Sequence, residues 1–174
     1  MNEVQPIKNK TDIELMKKAL SGRNLLLFIV GINTSLRISD ILNLKREDFT
    51  GDHLSLYEIK TKKFKNIRIN DALKKAIAEL APPTGYLFTS QKGDKPISRV
   101  QAWRILNDAA KRVGLTIAFG THTLRKTFAY HAYMNGTDLA LLMRVLNHSS
   151  QKETLRYIGI ESEQIDDVYI NVNL

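Results

Sequence analysis

This sequence predicts a mainly helical α+β domain, a helical bundle carrying a small antiparallel β-hairpin, and three observations carry that reading. Apolar residues recur at helical spacing from Thr11 to Leu44 and again from Asp71 onward. One interval, Leu54 to Asn70, clusters and alternates its apolar residues as strands do, around a basic turn. No internal repeat or low-complexity linker interrupts the 174 residues, which therefore read as one domain.

Each element follows from local signals. "TDIE" opens the first helix, with Thr11 as cap and Glu14 reaching back to complete a capping box, and the helix runs to about Leu20. "GRNLLLFIVGINTS" is apolar nearly all round and is expected to be buried on most sides. "RISDILNL" begins another helix near Ser39 and Asp40. "LSLYEIK" and "NIRIN" pair as a hairpin around "TKKFK". "DALKKAIAEL" must stop by Pro82 and Pro83.

The stretch "TGYLFTSQKGDKPIS" is loop with a short extended piece at Tyr86 to Phe88. Ser98 caps "RVQAWRILNDAAKRV", with Val100, Trp103, Leu106 and Ala110 on one helical face and Gly114 at the stop. Trp103 is assigned to the core rather than to a base-stacking role. "THTLRKTFAYHAY" forms the next helix, ending near Gly136, and "DLALLMRVL" another. A short helix is expected around Glu163 to Val168, then an apolar, strand-like end from Val168 to Leu174.

Composition narrows the function. Lys and Arg number 26 against 18 Asp and Glu, a net charge of +8, which suits a polyanion such as nucleic acid or an acidic membrane surface. No run approaches the roughly 18 to 20 apolar residues of a membrane span, and "MNEVQPIKNK" has no signal-peptide core, so the chain reads as soluble and cytoplasmic, associated with the nucleoid. With no cysteine, disulfides, thiolate metal sites and a Cys nucleophile are excluded. Any covalent chemistry must use oxygen or nitrogen.

The segment from Thr121 to Tyr133 poses a question, because an apolar helix carries His122 and Arg125 on one face. An imidazole beside an arginine fork is suited to gripping phosphate, since the guanidinium donates two parallel hydrogen bonds in a fixed plane. The ordinary alternative is a surface pair near a helix start. Arg37 in "TSLRISDILNL", Lys60 in "EIKTKK", His148 in "LNHSS" and Tyr157 in "TLRYIGI" supply further groups of the same chemical kind.

Taken in order, Arg37, Lys60, His122-Thr-Leu-Arg125, His148 and Tyr157 resemble the catalytic domain of the tyrosine recombinases, the phage integrase family. "LRISDILNL" is similar to the family's first-arginine motif, "HTLRKTFA" to its H-x-x-R box, and "VLNHSSQKETLRYI" to the run from its last histidine to its nucleophile. The likeness covers nearly the whole chain. It implies a site-specific recombinase or integrase that breaks and rejoins double-stranded DNA through a 3′-phosphotyrosyl link, with no metal, ATP or other cofactor.

By that resemblance Tyr157 would attack the phosphorus, His122 would assist its deprotonation or position the phosphate, and Arg37 and Arg125 would cradle the phosphate. His148 would donate to it, Lys60 would protonate the leaving 5′ oxygen, and Asp40 would orient the basic residues from behind. Lys60 has competitors in Lys62, Lys63 and Lys65, and it is chosen because it precedes Thr61 at the end of the first strand, as the family's lysine does. Arg37 has an alternative partner in Asp40 at i, i+3. His53, His131, Tyr130, Tyr133 and Tyr169 are assigned structural or exposed places, and Lys45, Arg46, Arg99 and Lys111 are loose candidates for DNA contact.

Two departures from the family pattern stand out. Asn147 occupies the place where the family often has glycine before the last histidine, and Asn tolerates left-handed backbone angles. The catalytic pattern begins within about ten residues of Met1, so residues 1–174 read as one catalytic domain with no N-terminal core-binding domain in this chain, either a fragment or a short recombinase. The apolar tail, about 161–174, either packs on its own core or, as the resemblance implies, docks on a neighbouring protomer through Ile170, Val172 and Leu174, giving a homo-oligomer, a tetramer on paired sites. Two other classes stay open: a type IB topoisomerase, and a DNA-binding module of the same shape without the chemistry.

Overall fold

The computed structural model describes residues 4–91, 93–160 and 170–172. Its elements run α1 (Lys10–Ala19), α2 (Gly22–Thr34), α3 (Ile38–Leu42), β1 (Phe49–Thr50), β2 (His53–Tyr57), β3 (Phe64–Arg68), α4 (Asp71–Leu80), α5 (Arg99–Arg112), α6 (Thr121–Met134), α7 (Leu139–Leu146) and α8 (Gln151–Ile158). The expected α+β architecture is present. The sheet is antiparallel in the order β1-β2-β3, one short strand more than the expected hairpin, because Phe49 and Thr50 pair with Leu54 and His53. In the hairpin proper, Leu54 faces Ile67 and Tyr57 faces Phe64.

Helix α2 is the axis of the core. Leu26, Leu27, Phe28 and Val30 are fully buried, and α2 packs on α4 and α6. Gly31 lets α6 come close, for a Cβ there would lie 2.4 Å from Leu124 Cδ1 and 2.9 Å from Leu124 Cβ. This contact sets the depth at which α6 sits. A smaller apolar cluster of Ala129, Leu142, Leu146 and Ile158 joins α6, α7 and α8, with Leu155 and Tyr157 packed against it. The helix that carries Tyr157 is thus held by its neighbours α6 and α7 rather than by the main core.

Several local expectations need correction. The cap of α1 is Asn9, whose side chain accepts from Thr11 N at 2.8 Å, so the helix starts before Thr11. The C=O of the capping residue already enters the helical ladder, and Asn serves there as well as Thr. Trp103 is 43% exposed and Val100 58% exposed, so neither is core. The buried face of α5 is instead Ala102, Leu106, Ala109 and Ala110, since the small residues admit close packing and the large ones fall outside the stripe.

Ile170 and Asn171 are helical rather than strand-like, and Ile170 and Val172 are exposed. The expected helix at Glu163 to Val168, Tyr169 and Leu174 lie outside the described residues. Ser98 does cap α5, accepting from Gln101 N at 3.1 Å. Among the described residues no helix is long and apolar enough to cross a membrane.

Candidate active site

Two turns and two helices build the site. The turn after α2 has Ser35 in a left-handed conformation, φ 58°, which redirects the chain so that Arg37 stands at the start of α3. Helix α6 opens at Thr121 and places His122 and Arg125 one turn apart. Asn147 ends α7 at φ 54°, the left-handed angle tolerated by Asn, and His148 follows. Tyr157 lies in the last turn of α8.

Arg125 ties two of these turns together. It is 4% exposed, and its two terminal nitrogens donate to Ser35 O at 2.7 Å and Leu146 O at 2.6 Å. Leu146 O belongs to the last turn of α7, where carbonyls lack helical partners and the helix dipole is negative, so a cation is favoured there. Lys65 uses the same helix end, donating from Nζ to Val145 O at 3.1 Å. Burial works against the charge of Arg125 and lowers its pKa, an effect opposed by Tyr157 and Glu58, yet a guanidinium stays protonated.

Glu58 is the carboxylate at the centre. It is fully buried, and Oε1 accepts from Arg37 at 2.9 Å and faces Lys65 Nζ at 3.3 Å. Its other oxygen accepts from Thr61 Oγ1 at 2.5 Å and Asn147 Nδ2 at 3.2 Å. Burial pushes its pKa up, but the Thr61 hydroxyl, Lys65 and Arg37 outweigh that, and the net shift is downward. Lys65 is shifted down, because burial and the charges of Arg125 and Arg37 outweigh the support of Glu58.

Tyr157 is half-buried among these groups. Its ring meets His148 edge on at 4.9 Å between centroids, and Lys126 Nζ lies 5.0 Å from its centroid. The phenol oxygen is buried and has no well-aligned hydrogen-bond partner among the described residues. Burial raises the phenol pKa, and the nearby Arg125 and Arg37 charges pull against that rise.

Both histidines shift downward. His122 keeps contact with solvent, yet partial desolvation and the Arg125, Lys126, Arg37 and Arg99 charges disfavour its imidazolium. His148 is lowered chiefly by burial, with Glu153 opposing, and its Nδ1 is 3.1 Å from Thr154 Oγ1.

The structure therefore brings Arg37, Arg125, His148 and Tyr157 together, with His122 at the rim. Lys60 lies in the exposed turn between β2 and β3, while Lys65, weighed as its competitor, reaches inward. Asp40 is 2% exposed and accepts from Ile59 N at 2.8 Å through Oδ1, so it anchors the hairpin backbone, and the carboxylate that Arg37 meets is Glu58. Sequence reasoning missed Glu58. The signal was present, since Leu54, Leu56 and Glu58 share one parity and alternation directs an acid inward.

Known proteins resemble this chain along most of its length. The description of the phage integrase family matches residues 2–164. The probable integrase/recombinase YoeC of Bacillus subtilis (strain 168) is 48% identical over 176 residues, which cover 97% of each chain. The tyrosine recombinase XerC of Staphylococcus carnosus is 30% identical over 165 residues, 90% of this chain and 55% of that protein. Among solved structures, the XerA recombinase superposes with a TM-score of 0.78 at 19% identity, over 99% of this chain and 67% of that one. The XerH recombinase bound to its difH substrate in a post-cleavage complex gives 0.72 at 23% identity, over 97% and 53%.

Fold and sequence together place the molecule in a class: this chain belongs to the phage integrase family and is a tyrosine recombinase, an enzyme of site-specific recombination. It spans nearly the whole of the Bacillus subtilis relative and about half of XerC.

Proposed function

We propose that this chain cleaves and rejoins double-stranded DNA through a covalent 3′-phosphotyrosyl intermediate at Tyr157, without metal or ATP. Tyr157 Oη attacks the phosphorus, the bond from phosphorus to the 5′ oxygen breaks, and the bond energy is kept in the new phosphodiester. A 5′-hydroxyl from the same or a second duplex reverses the step. His122 takes the phenol proton, and the lowering of its pKa keeps it neutral and able to accept. Arg37, Arg125 and His148 neutralise the non-bridging oxygens, where charge develops in the transition state.

Lys60 protonates the leaving oxygen. The assignment rests on the family pattern, which points to the lysine before Thr61, and Lys65, the competitor that reaches inward, already serves Glu58 and Val145 O through Nζ. Lys60 stands exposed on the turn, where a duplex laid across the site would meet it. Exchange of strands needs paired DNA sites, so we assign the tail, with Ile170 and Val172 exposed, to contacts between protomers in a tetramer.

The observation that carries the proposal is the phenol of Tyr157, held without an aligned partner beside two buried or half-buried arginine side chains. Its test is to incubate the protein with a pool of nicked duplexes, which lose a short fragment after cutting and so trap the adduct. A denaturant-stable adduct that maps to Tyr157 and disappears in Tyr157→Phe is expected. Enrichment of one sequence in the trapped DNA marks a recombinase, whereas dispersed cutting marks topoisomerase chemistry. No adduct even at low salt would overturn the proposal for this chain.

A further inference from the structure

We propose that Glu58 is a positioning residue for strand cleavage, holding the turn that carries Lys60 in register with Arg37 and His148. The proposal rests on the reading of Lys60 as the acid. Lys60 lies between two anchored neighbours: Ile59 N donates to Asp40 Oδ1 at 2.8 Å, and Thr61 Oγ1 donates to Glu58 Oε2 at 2.5 Å. The turn is closed by Glu58 itself, whose N–H donates to Lys63 O and whose carbonyl accepts from Lys62 N, each at 2.9 Å. Lys62 takes a left-handed angle, φ 57°, to complete it.

The same carboxylate reaches the other side of the site. Oε1 receives Arg37, and Oε2 receives Asn147, the residue before His148. One buried group thereby joins the start of α3, the β2–β3 turn and the end of α7. Being fully buried, it cannot touch DNA, and its effect must pass through the groups it holds.

The network also explains why an acid is needed. Four donors converge on two oxygens: Arg37 and Lys65 on one, Thr61 and Asn147 on the other. A glutamine presents one oxygen and one NH2: with the oxygen toward Arg37 and Lys65 it lacks the negative charge that holds the two cations, and its NH2 then faces Asn147 Nδ2 and a Thr61 hydroxyl that can accept only by giving up its role as donor. Glu58→Gln keeps the shape of the side chain, removes its charge and weakens its hold on the turn.

The test uses the duplex sequence that the wild type traps most from a randomised pool of nicked duplexes. Single-turnover cleavage is measured on that duplex and on one with sulfur in place of the leaving 5′ oxygen, since a thiolate departs without a proton. Lys60→Ala should lose cleavage on oxygen and recover on sulfur. Glu58→Gln should lose roughly 100-fold on oxygen, the scale of a misplaced catalytic group, and recover at least about tenfold of that on sulfur. Thr61→Val, a change in the turn that leaves the core untouched, should show the same pattern with a smaller loss.

Wild-type cleavage of the oxygen duplex by both Glu58→Gln and Thr61→Val would overturn the proposal. So would an equal loss on oxygen and sulfur, as a general defect of folding or of Arg37 would give. Faster cleavage by Glu58→Gln would do the same, for it would mean that the carboxylate holds the arginine until phosphate displaces it. If Lys60→Ala is not recovered by sulfur, the reading of Lys60 fails first and this proposal falls with it.

Discussion

The imidazole of His148 and the phenol of Tyr157 meet edge to face, 4.9 Å between centroids at 80°. Aromatic pairs favour this geometry because a positive ring edge meets a negative face. The contact spans the nine-residue step from the end of α7 to the last turn of α8, and Thr154 Oγ1 holds the imidazole through Nδ1. The proposed nucleophile is thereby aligned by its ring while its hydroxyl is left without an aligned partner.

Tyr157→Phe keeps the ring and removes the buried hydroxyl. The hydroxyl is desolvated and its near donor, Arg125, is poorly aligned, so it recovers little of a desolvation cost of about 1–3 kcal/mol, and the variant should melt at or above the wild-type temperature while forming no adduct. Thermal unfolding beside the trapping assay checks both, and a clear fall in Tm would show that the hydroxyl has a stabilising partner.

The cleavage rate should keep its plateau to a pH below about 6.5, the ordinary imidazole value, because the folded pKa of His122 is lowered. The sign follows: a proton acceptor with a lowered pKa stays neutral further into acid, and activity falls as pH drops through that lowered value. Single-turnover rates from pH 5 to pH 8 measure it, with His122→Gln expected to lose this acid limb. An acid limb above the ordinary value would contradict the assigned environment.

Arg125→Lys should be costly although it conserves charge. An ammonium lacks the planar fork whose two nitrogens reach Ser35 O and Leu146 O separately, so at least one of these buried carbonyls is expected to lose its well-aligned donor. A loss of about 1–3 kcal/mol in stability is expected from denaturant unfolding, together with loss of cleavage. Wild-type stability would mean that the two carbonyls find other donors.

Gly31→Ala should destabilise by about 1–3 kcal/mol, as overpacking does in a filled core. Its Cβ would meet Leu124, whose helix also carries His122 and Arg125. Pairing it with Leu124→Ala should cost less than the sum of the two single changes, measured by denaturant unfolding as a double-mutant cycle.

Much of this molecule was legible along the chain. Helical spacing, Ser98 as a cap and the alternating hairpin are short-range signals, and the elements read from them between Thr11 and Leu146 appear near where those signals put them, whereas the short β1 and α8, the helix of Tyr157, were not read from the sequence. The left-handed Asn147 follows from the tolerance of that residue type. Trp103 was misplaced because hydrophobicity alone does not say which face of a helix finds a neighbour; α5 turns its alanines and Leu106 inward.

The sequence by itself determined the fold class and the family, since residue types in fixed order survive without coordinates, and the family match over residues 2–164 agrees. Tertiary structure decided who touches whom. Glu58 rather than Asp40 meets Arg37, and Lys65 rather than Lys60 reaches inward, through contacts spanning 21 residues for Arg37 and 80 for Lys65. A carboxylate has the same letter whether solvated or buried among four donors, and its surroundings depend on how the hairpin packs between the start of α3 and the end of α7.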